Sequence, residues 1–116
     1  MALHEGGCQC GRVHYAVEVG LDDAITCNCS RCGKLGSILA FAPADAFDLK
    51  SGEDALTSYQ FNTHKISHLF CAICGIQSFG RGTAPNGAEM VAINVRCLDD
   101  VDVFALKPQQ VDGKSF

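Results

Sequence analysis

The chain has 116 residues, with nine Lys and Arg against thirteen Asp and Glu, a formal net charge of −4 and 47% hydrophobic residues. That length predicts a single domain over 1–116 and is too short for a multidomain enzyme; the scattered cations, never two in a row, offer no footprint for a nucleic-acid backbone. The longest apolar stretches, Ile38 to Ala42 and Met90 to Ile93, fall far short of the roughly 20 residues that cross a bilayer, and Met1-Ala2-Leu3-His4-Glu5 has neither a basic start nor an apolar signal core, so the expectation is a soluble cytoplasmic protein with no membrane partner.

In chain order, the clearest element is a strand over Arg12 to Val19, where Val13, Tyr15, Val17 and Val19 alternate with Arg12, His14, Ala16 and Glu18. Further strands are predicted at Ser37 to Ala42, Phe47 to Leu49, Leu56 to Phe61, Ser67 to Cys71, Gln77 to Gly80 and Glu89 to Val95. Met90 to Val95 is apolar on both faces except at Asn94, which predicts a central strand. Turns are marked by Lys50-Ser51-Gly52 and by Gly82 to Gly87. Leu98, Val101 and Phe104 recur every third residue, which predicts a short helix stopped by Pro108. The class is mainly β, antiparallel, with at most a short helix near the C-terminus.

Eight cysteines are the feature to explain: Cys8-x-Cys10, Cys27-x-Cys29-x-x-Cys32, Cys71-x-x-Cys74 and a lone Cys97. They could pair as disulfides in roughly 105 ways, but partners two residues apart would close strained rings. Short knuckles of this kind instead aim two sulfurs at a tetrahedral metal about 2.3 Å away, and zinc is the first reading. Cys8/Cys10 with Cys71/Cys74 supply two ligands each, and the glycines that follow, Gly11 and Gly75, allow the positive φ a knuckle needs to turn amides toward sulfur. Such a site would close a loop of about 65 residues, and structural zinc adds an apparent 10–16 kcal/mol or about that to folding.

Cys27, Cys29 and Cys32 leave a tetrahedral metal one ligand short, and an open position is what separates catalytic from structural zinc. Cys97, His68 or His64 could instead close the site. Seven thiolates around two zinc ions would bring the net charge from −4 to about −7, making acidic partners less suited still. Arg31 and Lys34 lie beside the triplet, where they could steer an anion or lower a thiol pKa; a solvated charge is the simpler reading. Cys97 follows an apolar strand, the setting of a small buried hydrophobe more than of a nucleophile.

With these residues in hand, the chain resembles the family of glutathione-dependent formaldehyde-activating enzymes and centromere protein V. The matching stretches are GGCQCGRVHY (Gly6 to Tyr15), CNCSRCGKLG (Cys27 to Gly36), HLFCAICG (His68 to Gly75), NVRCLDD (Asn94 to Asp100) and the closing VDGKSF. The resemblance implies a β-tent fold, small antiparallel sheets pinned by a structural zinc on Cys8, Cys10, Cys71 and Cys74. It also implies a catalytic zinc on Cys27, Cys29 and Cys32, two ions per chain, and carbon–sulfur bond chemistry of the kind that forms S-hydroxymethylglutathione from glutathione and formaldehyde.

The function this resemblance implies is a zinc-dependent carbon–sulfur lyase or thiol–aldehyde adduct enzyme, its partner a small thiol or adduct with glutathione as a candidate. An open zinc can hold a thiol as thiolate or polarise a carbonyl; three thiolates weaken its Lewis acidity, which favours the first role. Two other readings stand beside it. A non-catalytic, zinc-stabilised binding module predicts an exposed apolar patch in place of a concave site. A thiol redox enzyme using Cys97 predicts an exposed Cys97 with a depressed pKa.

Overall fold

The computed structural model describes residues 2–61 and 65–115. Among these residues ten strands make two sheets. The smaller has the order β1-β2-β5, from Ala2–Gly7, His14–Val19 and Phe47–Ser51. The larger has seven strands in the order β10-β3-β4-β9-β8-β7-β6: Gln109–Val111, Ile25–Cys27, Leu39–Pro43, Glu89–Asn94, Gln77–Thr83, Ser67–Cys71 and Leu56–Tyr59. Pairing is antiparallel throughout except at one edge, where β10 runs parallel to β3. The apolar β9 is central, between β4 and β8, as its two-faced composition predicts.

The core lies between the sheets. The alternation read in β2 and the residue before it is realised, with Val13, Tyr15, Val17 and Val19 all at most 1% exposed. They pack on one face of the large sheet, against Ala40 and Ala42 of β4, Phe79 of β8, and Val91 and Ile93 of β9. Tyr15, Phe47 and Phe79 form an aromatic triangle with centroids 4.7–5.6 Å apart, each pair adding about 0.5–1.5 kcal/mol beyond its buried area. The Tyr15 hydroxyl donates to the Ser78 carbonyl at 3.0 Å, fastening the small sheet to the large one.

The period-two alternation leaves the opposite face of the large sheet to other residues. Leu39 and Phe41 of β4 and Ala92 and Asn94 of β9 point away from the core. This second face carries the site described below.

The expected helix at Leu98–Phe104 does not form. Leu98 is held extended by a bridge to Gly6, and the Asp102 carboxylate accepts from the Phe104 amide at 3.0 Å, closing a 3-10 turn over Val103–Ala105. Phe104 is 91% exposed, so the three-residue repeat buries no helical face. The α-helical turn lies instead at α1, Cys32–Leu35, ended by Gly36 at φ 67°. Among the described residues no helix is long and apolar enough to cross a membrane.

Candidate functional site

Cys8 and Cys10 lie in the turn between β1 and β2, Cys71 ends β7, and Cys74 lies in the turn to β8. Their four sulfurs lie within 4.8 Å of one another. Cys10 Sγ is 3.6 Å from Cys8 Sγ and 3.7 Å from Cys71 Sγ. A disulfide needs about 2.05 Å, whereas sulfurs about 2.3 Å from a tetrahedral zinc stand about 3.8 Å apart. The donor set and its spacing could therefore hold zinc. Gly11 and Gly75 take the expected positive φ, 85° and 81°, and the Val13 amide donates to Cys8 Sγ at 3.3 Å. The amides of Ile76 and then Cys10 pull the Cys74 thiol down to about 6. The cluster joins the small sheet to the large one.

Cys27, Cys29 and Cys32 come together in the same way, with sulfurs within 4.8 Å of one another. Cys27 ends β3 and Cys32 opens α1, so a single six-residue loop carries all three. The helical turn aims the Cys32 amide at Cys29 Sγ, 3.3 Å away. Burial pulls Cys29 upward, but the amides of Cys32 and Arg31 and the neighbouring thiols outweigh it and lower its pKa. Cys32 is pushed up to about 12, first by burial and then by Cys29 and Cys27.

Neither His68 nor Cys97 joins either set among the described residues; His64 lies outside them. Burial first, then Cys8 and Cys74, push the half-buried Cys97 thiol up to about 11, and it faces the Gln77 carbonyl at 3.9 Å. That is the reverse of what a redox nucleophile requires. His4 and His14 pair with Asp100 and Glu5 at 3.0 and 3.1 Å at the surface.

The triplet forms part of the wall of a cavity of about 350 Å³ on the second face of the large sheet. Its lining is largely apolar, including Ile25, Leu39, Phe41, Phe61, Ile66 and Ala92, with His68, Gln77 and Asn94 as the polar side chains. Burial, then Arg31, lower the His68 pKa and keep the imidazole neutral near neutral pH. Arg31 is no free solvated charge. It donates to Gln77 Oε1 from Nε at 2.9 Å and Nη2 at 2.6 Å, and its guanidinium lies 4.7 Å over the Tyr59 ring. Tyr59, Phe61 and His68 continue this stack, with centroids 6.0 and 5.1 Å apart. Lys34 remains exposed.

Sequence reasoning missed the clamp on the triplet loop. The Asn28 amide nitrogen donates to the Val111 carbonyl at 3.3 Å, its side chain donates to Asp112 Oδ1 at 2.9 Å, and its side-chain oxygen accepts from the Lys114 amide at 2.9 Å. Gly113 fits against Cys27 so closely that a Cβ there would overlap Sγ. The sequence signal for this clamp is the closing VDGKSF, which contains Val111, Asp112, Gly113 and Lys114.

Residues 3–112 match the sequence family described as glutathione-dependent formaldehyde-activating enzyme. Among solved structures, a Rhodobacter sphaeroides protein is 32% identical with a TM-score of 0.81, over 92% of this chain and 99% of that one. A match spanning nearly every described element, both cysteine clusters included, means that the chain belongs to the family of glutathione-dependent formaldehyde-activating enzymes.

Proposed function

We propose that the triplet is the catalytic centre of a zinc-dependent carbon–sulfur lyase or thiol–aldehyde adduct enzyme. Its substrate is a small thiol or the aldehyde adduct of one, with glutathione a candidate. One observation carries the reading: three sulfurs converge on the wall of a cavity, and no described His, Cys, Asp or Glu completes their set. Three thiolates with an open position suit an exchanging metal, and four without one suit a structural metal. Two zinc ions per chain follow, in one domain over 1–116. Eight unpaired cysteines suit a reducing compartment such as the cytoplasm.

When bound at the triplet, zinc would supply positive charge that favours a thiolate over a thiol. The chain's residues would do the rest. Asn28, Asp112 and Gly113 hold the sulfurs in register, and the apolar lining excludes water from the carbonyl carbon. A neutral His68 has a ring nitrogen that can accept the thiol proton and return it to the oxygen of the adduct. The S–C bond forms as the C=O π pair moves to oxygen, and elimination runs the same path backward.

The test is zinc content of protein purified under reducing conditions without chelator, counted with free thiols and with turnover of thiol–aldehyde pairs. Two zinc ions per chain and catalysis, with Cys29→Ser retaining one ion and losing activity, is the expected result. One zinc, with Cys27, Cys29 and Cys32 reactive and refusing added metal, would sink this reading in favour of a binding module.

A further inference from the structure

The strand registers place five residues in one row across the second face of the large sheet. Tyr59 pairs His68, His68 pairs Gly80, Gly80 pairs Ala92, and Ala92 pairs Phe41. Directly paired residues share a face, so the row descends from a flat imidazole to two of the smallest residues and rises again to a phenyl ring. Gly80 and Ala92 are thus a floor, and His68 and Phe41 are walls. Phe41 and Ile66 stay 49% and 50% exposed beside it, large apolar side chains that the fold itself leaves uncovered.

Among the described residues lining this cavity none is an Asp, Glu, Lys or Arg, and burial holds the His68 imidazole toward its neutral form. The carboxylates and ammonium of a peptide-like thiol would lose their hydration there without a partner, a cost that apolar walls cannot offset. The charged body of the thiol therefore belongs outside, with only its sulfur reaching the triplet. The cavity is left for the carbon side of the adduct. Formaldehyde brings no substituent to fill it, whereas an apolar cavity of about 150 Å³ already takes benzene, and this one is about 350 Å³.

We propose that the cavity receives the apolar substituent of an aldehyde larger than formaldehyde, so that the adduct made or cleaved is the thiohemiacetal of an aromatic or medium-chain aliphatic aldehyde. The proposal rests on the thiol–aldehyde reading of the triplet. The chemistry balances without an oxidant: the thiol loses its proton, sulfur bonds to the carbonyl carbon, and the oxygen gains the π pair and the proton. Each methylene buried is worth roughly fourfold in affinity, so selectivity should climb with chain length until the cavity is full.

The experiment compares formaldehyde, hexanal and benzaldehyde with one thiol, glutathione, on the zinc-loaded protein. The expected result is a kcat/KM at least tenfold higher for the two larger aldehydes. Ala92→Leu, which raises the floor, should cut that preference about tenfold. Ile66→Glu, at a half-exposed wall position that tolerates charge, should do the same if Ala92→Leu folds poorly. Formaldehyde used as well as the larger aldehydes, or a preference indifferent to both substitutions, overturns the proposal. Should no aldehyde react above the uncatalysed rate, the reading of the triplet falls, and binding of benzyl alcohol decides the cavity separately. Saturable shifts of the Ala92 methyl resonance in the wild type, lost in Ile66→Glu, sustain an apolar ligand site; no shift overturns it.

Discussion

Asn28 donates its side-chain amide to Asp112 Oδ1 at 2.9 Å, tying the loop between Cys27 and Cys29 to a residue 84 positions later. The bond sets the position of the sulfurs without taking part in their chemistry, because Asn28 also bonds the amide of Lys114 and the carbonyl of Val111. Partners of this kind typically control metal affinity by about 10–100-fold. Asn28→Ala and Asp112→Ala should each weaken zinc at the triplet by about that factor and leave the four-sulfur site untouched, read by competition with a metallochromic chelator. Equal weakening at both sites would count against a local clamp.

The clamp also has a predicted pH range. The Ser115 hydroxyl, then Asn28, hold the Asp112 carboxyl below the ordinary aspartate range, which lies near about 3.9. A depressed folded-state value means that its contribution is complete above the ordinary value and lost only as pH falls through the folded one. Acid release of zinc near pH 5 should therefore come from protonation of sulfur, with the Lys114 amide resonance still at its clamped position. A Lys114 shift that moves together with metal loss at pH 5 would contradict this order of events.

The two sheets are coupled through Tyr15. Its ring is fully buried in the aromatic triangle, its hydroxyl bonds the Ser78 carbonyl, and burial pushes its pKa well above the usual range. Tyr15→Phe removes one hydrogen bond and should cost about 1–3 kcal/mol; Tyr15→Ala adds a cavity and should cost about 3–5 kcal/mol. Urea denaturation of the metal-loaded protein measures both. A negligible loss for Tyr15→Ala would mean that the sheets are held together by the four-sulfur cluster alone.

Much of this architecture was legible in the chain, and the failures have a common cause. The strands around Val13 to Val19 and Glu89 to Asn94 announce themselves because a buried face imposes period two or a continuous apolar run. β3 and β10 have only three residues each, too few for any period, and form because the triplet loop and the C-terminal segment pair over Ile25–Cys27 and Gln109–Val111. β1 is mostly exposed and takes its register from β2. At the site, knuckle spacing pointed to which sulfurs lie together, because residues two or three apart in a tight turn are neighbours in space whatever the rest of the fold does. The cavity floor was hidden, because Gly80 and Ala92 acquire meaning only once β8 and β9 are paired.

The two cysteine clusters differ in what their loss would do to the fold. Cys10 and Cys71 are 61 residues apart and join different sheets, and a structural zinc there would supply about 10–16 kcal/mol. That matches or exceeds the whole stability of an ordinary domain, about 5–15 kcal/mol. The triplet closes no long loop, so a metal there would constrain few residues. Stepwise chelation should release one zinc with an unchanged far-UV spectrum and the second only with loss of strand signal; Cys71→Ser should fail to fold where Cys29→Ser folds. Simultaneous release with unfolding would show that the sites are not separable.

Arg31 links the triplet loop to the cavity wall more tightly than its charge alone suggests. Its two donors converge on Gln77 Oε1, and its flat face lies over Tyr59 at the head of the stack that runs through Phe61 to His68. A lysine can replace the charge but neither the fork nor the flat face. Arg31→Lys should therefore cost about 1 kcal/mol of stability from the lost stacking and bonding, and it frees Gln77 to swing toward the triplet. Activity should fall about tenfold, with Arg31→Lys no better than Arg31→Met, which keeps bulk without charge. Full activity in Arg31→Lys together with loss in Arg31→Met would assign the residue an electrostatic role toward an anionic thiol, and a role in positioning Gln77 and Tyr59 would be wrong.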